Sequence, residues 1–160
     1  MMVELSRDEC LYALGTHSIG RLCLVIDGTP VAFPVNYRLV VESRAASDDS
    51  ENAASQRVSD ALFVIVFRAR EGGALDHPGS RVGFQIDGTD PVAQTGWSVL
   101  ARGTLHEGHN EAAPDWLHSW DPHPWTVDRE TWLYVLVEQV SGRQLIKAEA
   151  EWDFEIRGYL

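Results

Sequence analysis

From Gly20 onward the chain repeats its apolar residues at every second position, and this period limits the possible folds more than any other feature. Leu22, Leu24 and Ile26 face one way and Cys23 and Val25 the other, which predicts a strand. Asp27-Gly28 is a hairpin signal, and Val31 to Val41 supplies the returning strand. Both faces of this hairpin are apolar, so a core should cover one and a helix or second subunit the other. Leu62 to Arg68 is the clearest strand, with an unbroken β-branched and aromatic run from Phe63 to Phe67. Further strands are expected at Val82 to Ile86, Thr95 to His106 and Trp132 to Val140. Turns are expected at Asp87-Gly88-Thr89-Asp90-Pro91 and Ser141-Gly142-Arg143, with a final extended segment to Leu160. Six or more antiparallel strands predict a mainly β protein, a closed or nearly closed barrel with a few short helices.

The helical signals are few. Ser6 followed by Glu9 forms a capping-box pair that opens a helix from Ser6 to Gly15, with Leu11 and Leu14 on its apolar side and Gly15 as the stop. Glu71 to His77 has room for one helical turn, ended by Pro78-Gly79, and Glu111 to Trp120 reads as a short helix starting near Pro114. Residues 44–60 are rich in Ser, Ala, Asp, Glu and Asn and read as a solvated insertion in a hairpin connection. No internal repeat or second domain is visible, so residues 1–160 are expected to form one domain.

Charge narrows the function. Lys and Arg number 13 against 24 Asp and Glu, a formal charge of −11, which argues against nucleic acid and anionic membrane surfaces. A small anionic ligand needs only two or three local donors. Twelve of the basic residues are Arg, the better phosphate fork, although genomic base composition accounts for such a bias as well. The longest apolar run, Ala61 to Phe67, is far short of the ~20 residues of a membrane helix. Met1 to Cys10 has no secretory pattern, and two cysteines make no disulfide framework, so a cytoplasmic home is expected. Cys23, inside an apolar strand, reads as inert core. No dinucleotide, phosphate-loop, nucleophile-elbow or zinc-protease motif occurs. His106 and His109, with His118 and His123 further along, have no cysteine nearby and read as solvated loop histidines, so no metal site is expected.

Pro34 removes a ladder amide from its strand and places it at an edge or bulge. Its carbonyls and the Asn36 side chain are then available to a ligand edge, or the proline guards the edge against aggregation. Gly83, Gly96 and Gly103 within strands suit bends or close backbone approach. Four stretches stand out: Ile19-Gly20-Arg21-Leu22, Pro30 to Tyr37, Phe67-Arg68, and Gly96 to Gly103. Pro124-Trp125 and Val140 to Gln144 are weaker echoes. In this order and spacing, from Leu5 to Gln144, they resemble the pyridoxamine 5′-phosphate oxidase-like family of FMN-binding split barrels, and most of all its small single-domain branch.

The resemblance implies a homodimer of six-stranded antiparallel split barrels with FMN in two equivalent grooves between subunits. It implies an oxidoreductase in which the flavin accepts a hydride from a reduced nicotinamide or another small donor and passes electrons to a small acceptor. No catalytic side chain is required. The cofactor-binding positions that it implies are Pro34, Val35, Asn36, Tyr37, Phe67, Arg68, Ala69 and Leu75, with Trp97, Ser98 and Arg143 contributed across the dimer. Read from the residues alone, Arg68 and Arg143 are equally strand ends and Trp97 a barrel-core residue. Many relatives carry Thr after the Arg68 position and Lys in the following turn, where this chain has Ala69 and Ala74. Arg70 or Arg81 would have to compensate for those donors. The alternative is a split-barrel dimer without flavin, acting as a binding or regulatory protein; deazaflavin is a further alternative cofactor.

Overall fold

The period-two pattern closes into a barrel. The computed structural model describes residues 1–43, 61–108 and 131–147. Its elements are β1 (Met2–Leu5), α1 (Arg7–Thr16), β2 (Ile19–Ile26), β3 (Thr29–Ser43), β4 (Ala61–Ala69), β5 (Arg81–Asp90), β6 (Thr95–Glu107) and β7 (Thr131–Leu145). The strand order is β1-β7-β4-β3-β2-β5-β6, and β6 also pairs with β7. Strands β2 to β7 therefore form the six-stranded antiparallel ring of a split barrel. The short β1 was not anticipated and adds to the far end of β7, with Glu4 opposite Arg143.

Strand β3 makes the split. Its first half, Thr29 to Asn36, pairs with β2, and its second half, Tyr37 to Ser43, pairs with β4. Pro34 falls in the half that is laddered on one side only, which is where a missing amide costs least. Asp27 and Gly28 both have positive φ, 49° and 77°, as a tight hairpin turn requires.

Strand β4 is buried on both faces, which accounts for its unbroken apolar run. Ile65 and Phe67 point into the main core with Tyr37, Phe84, Leu105 and Leu133. Val64 and Val66 point the other way and pack with Val40 and Trp132. The hairpin of β2 and β3 differs: Leu22 and Leu24 are buried, whereas Val25 is 61% exposed. Cys23 is half-buried rather than part of the core. Burial raises the pKa of its thiol.

Several local expectations are corrected. Ser6 and Glu9 form the capping box, but α1 continues through Gly15 to Thr16. Gly15 is not in the left-handed region, and the Thr16 hydroxyl donates to the Tyr12 carbonyl at 3.0 Å. Residues 71–77 form tight turns instead of a helical turn, because Gly72, at φ 63°, breaks the helical path. Strand β5 runs on through Asp90, so the turn lies at residues 91–94 and carries Gln94 at φ 55°. Ser141, Gly142 and Arg143 lie inside β7, where β6 pairs with all three and β1 pairs with Gly142 and Arg143 from the other side. The expected insertion at residues 44–60, the helix at Glu111 to Trp120, the Pro124-Trp125 pair and the segment to Leu160 lie outside the described residues.

Candidate functional site

The residues singled out in the sequence fall into two groups at opposite ends of β7. In the first, Tyr37 is the register partner of Phe67, and Arg68 is the partner of Trp132. Val35, Tyr37, Phe67, Ala69 and Leu75 are all buried, so their side chains shape the wall and a ligand would meet their backbone. Tyr37 donates its hydroxyl to the Leu14 carbonyl at 2.7 Å and meets Phe84 edge-to-face at 4.7 Å. Burial raises its pKa well above the ordinary tyrosine value.

Alternation along β4 puts Arg68 on the Val64–Val66 face. There its guanidinium carbon lies 5.4 Å from the Trp132 ring centroid, a cation–π contact that holds it at the strand end. Trp132 was legible only as the start of a strand; its place beside Arg68 needs the β4–β7 register.

The turn after Arg68 does not offer the amides expected of it. Gly72 N–H donates to the Asp76 carboxylate at 2.8 Å, and Gly73 N–H donates to the Arg70 carbonyl at 3.0 Å. Both amides are used internally, one of them by a carboxylate. Arg81 does not compensate either, because its Nη1 donates to both Glu138 oxygens, at 2.5 and 2.6 Å.

In the second group, Ser98 and Arg143 are register partners on β6 and β7. With Arg102 and Ser141 they line a cleft of about 560 Å³ on the β1–β6–β7 face. Trp97 is not with them. Neighbouring residues on a strand point to opposite faces, and Trp97 instead packs on the core, with the His17 ring edge-on at 4.8 Å.

Pro34 opens onto a third hollow of about 430 Å³, bounded by His17 at the end of α1 and by Arg21 and Asp87. Arg21 Nη1 lies 2.5 Å from Asp87 Oδ1, which closes that wall with an ion pair. Among the described residues no group of three or more His, Cys, Asp or Glu could hold a metal, and His106 stacks on Tyr134 at 5.0 Å. His109, His118 and His123 lie outside the described residues. No helix among the described residues is long and apolar enough to cross a membrane.

Comparison with known proteins gives the architecture a context. A family model described as pyridoxamine 5′-phosphate oxidase matches residues 6–144. The uncharacterized protein Rv0080 of Mycobacterium tuberculosis is 27% identical over 148 residues, covering 91% of this chain and 86% of that one. The FAD binding protein from Mycobacterium smegmatis superposes with a TM-score of 0.57 at 24% identity, covering 91% of this chain and 99% of its own. A FAD-binding protein from Mesorhizobium loti superposes at 0.61 with 22% identity, covering 90% and 96%. At these identities the superpositions establish the shared split-barrel fold.

Proposed function

The chain belongs to the pyridoxamine 5′-phosphate oxidase family, and from that membership we propose that it is a cytoplasmic flavin-binding oxidoreductase, a homodimer holding FMN between its subunits. The observation that carries this reading is the end of β4, where Arg68 stands against Trp132 beside the half-laddered edge of β3. A flavin ring is a broad, largely apolar plate with a few polar edge atoms. The β3 edge from Pro34 to Asn36 supplies backbone carbonyls and one amide side chain, a donor and acceptor set that fits the ring's polar edge. At the phosphate end, Arg68 supplies a guanidinium in place of the amides and the Thr and Lys of other relatives.

The cofactor would bring hydride and electron transfer; the protein supplies position, a dry wall and access. The buried Phe67, Ala69 and Leu75 would exclude water behind the ring, and Asn36 would hold its edge. The FAD named for two structurally similar proteins supports a flavin in this fold.

The occupied amides of Gly72 and Gly73, and Asp76 beside them, favour a second reading: a flavin-free dimer that serves as a binding or regulatory protein. One experiment separates the two. Purified protein should absorb at about 450 nm, or acquire that band with FMN, if the first reading holds. Colourless protein whose fluorescence titration with FMN is flat favours the second.

A further inference from the structure

The hollow of about 430 Å³ beside Pro34 is built by residues of α1, β2, β3 and β5. Small-molecule pockets span ~300–1,000 Å³, so a one-ring ligand has room there. His17, just past the end of α1, is held by two contacts. Its Nδ1 lies 2.8 Å from the Ala13 carbonyl oxygen, and its ring meets Trp97 edge-on at 4.8 Å. A carbonyl only accepts, so Nδ1 carries the proton and Nε2 of the neutral ring is the acceptor. Trp97 is itself seated. Its Nε1 lies only 2.6 Å from where a Cβ on Gly88 would stand, so the missing side chain makes room for the indole.

On the other side, Arg21 Nη1 donates to Gln85 Oε1 at 3.1 Å and to Asp87 Oδ1 at 2.5 Å. Gln85 Nε2 donates to the same Oδ1 at 3.0 Å. Each member of this trio holds the next, which sets donors and an acceptor side by side along one edge. The charges of Arg21 and Asp87 oppose each other, so the hollow does not favour an anion. Ile19, 47% exposed, and Pro34 add an apolar surface. An uncharged group with adjacent donor and acceptor matches the polar edge, and a flat ring covers the apolar one.

We propose that this hollow binds a small planar ring bearing a carboxamide, the chemistry of a nicotinamide, with Arg21, Asp87 and His17 Nε2 as the partners of its amide. Its role as the seat of an electron donor rests on the flavin reading, because Pro34 also belongs to the β3 edge proposed for the cofactor. The binding itself does not depend on that reading.

The test titrates the full-length protein with nicotinamide, nicotinate, riboflavin and FMN. NMR follows the His17 ring and the Trp97 indole N–H, which W97F identifies by its absence. Nicotinamide should shift both signals saturably. Nicotinate, a carboxylate of the same shape meeting Asp87, should bind about 10-fold more weakly or worse. In H17F, which keeps a ring against Trp97 but no nitrogen, the Kd for nicotinamide should rise about 5–10-fold. In D87N the preference for nicotinamide over nicotinate should shrink, a change that a merely structural Asp87 would not produce. Both side chains are exposed, so circular dichroism should be unchanged. Nicotinamide binding by protein that ignores FMN retires the electron-donor role and keeps the site. Unmoved Trp97 and His17 signals, equal binding of nicotinamide and nicotinate by wild type, or unchanged affinity in both H17F and D87N overturns the proposal. Riboflavin displacing nicotinamide from the same signals also overturns it, by assigning the hollow to the cofactor.

Discussion

Tyr37 and Leu14 are joined by a buried hydrogen bond, 2.7 Å from the phenol oxygen to the backbone carbonyl, which ties the last turn of α1 to the point where β3 changes partners. Replacing Tyr37 with Phe leaves that carbonyl buried without a donor. The expected cost is about 1–2 kcal/mol, a fall in Tm of roughly 3–6 °C. Thermal unfolding of Tyr37→Phe checks it, and an unchanged Tm would show that water replaces the hydroxyl.

The same phenol sets an alkaline limit. Its folded pKa is raised by burial, so the folded state holds the proton more tightly than the unfolded chain does. The stability that it contributes is fully present below the unfolded value of about 10 and is lost as pH rises toward the folded value. Denaturant midpoints measured above about pH 10 should fall in wild type and fall less in Tyr37→Phe.

Gly103 marks a β-bulge. The β6–β7 register slips between Arg102 and Gly103, and a Cβ on Gly103 would lie 1.9 Å from the Leu136 carbonyl oxygen. Backbone cannot yield as a flexible side chain can, so Gly103→Ala should cost about 3 kcal/mol or abolish soluble expression. Gly83→Ala, where the nearest atom is a Leu100 methyl at 3.3 Å, should be milder.

Glu138, the residue passed over at that bulge, reaches back to Arg81 and to the Thr104 hydroxyl, 3.0 Å away. The hydrogen bond from Arg81 is the main cause of its lowered pKa. A depressed carboxylate adds stability above its unfolded pKa and loses it as pH falls through the folded one, so the effect belongs to acid pH. Carboxyl titration by NMR should return Glu138 toward an ordinary value in Arg81→Ala. Because the pair is exposed, salt should weaken it.

Asp76 offers the sharpest test of the phosphate end. Asp76→Ala releases the Gly72 amide and removes a negative charge from the turn that follows β4, so FMN should bind about 5–50-fold more tightly. Fluorescence titration against wild type decides; weaker binding would place the phosphate elsewhere.

Strands announced themselves in the sequence because side-chain alternation and burial share one period. The helix start was equally plain, since Ser6 and Glu9 satisfy each other within one turn. Strand ends were not, because pairing decides them: Ser141-Gly142-Arg143 has the composition of a turn, yet two neighbours hold it extended. The candidate site was legible as a set of positions and hidden as a geometry. Nothing local shows that Trp132 backs Arg68, that Trp97 turns from Ser98, or that Asp76 closes the glycine turn. These facts depend on register and on which hydrogen bond wins.

Arg68 is opposite Trp132 near the start of β7 and Arg143 lies near that strand's far end, and this separation has a consequence for mixtures of damaged chains. In the dimer proposed above, a subunit lacking Arg68 and one lacking Arg143 spoil different halves of a shared pocket. Each alone should be colourless. Unfolded together and reassembled at equal amounts, they should regain cofactor in about a quarter of the pockets through mixed pairs, whereas a pocket contained within one chain would stay empty in every combination.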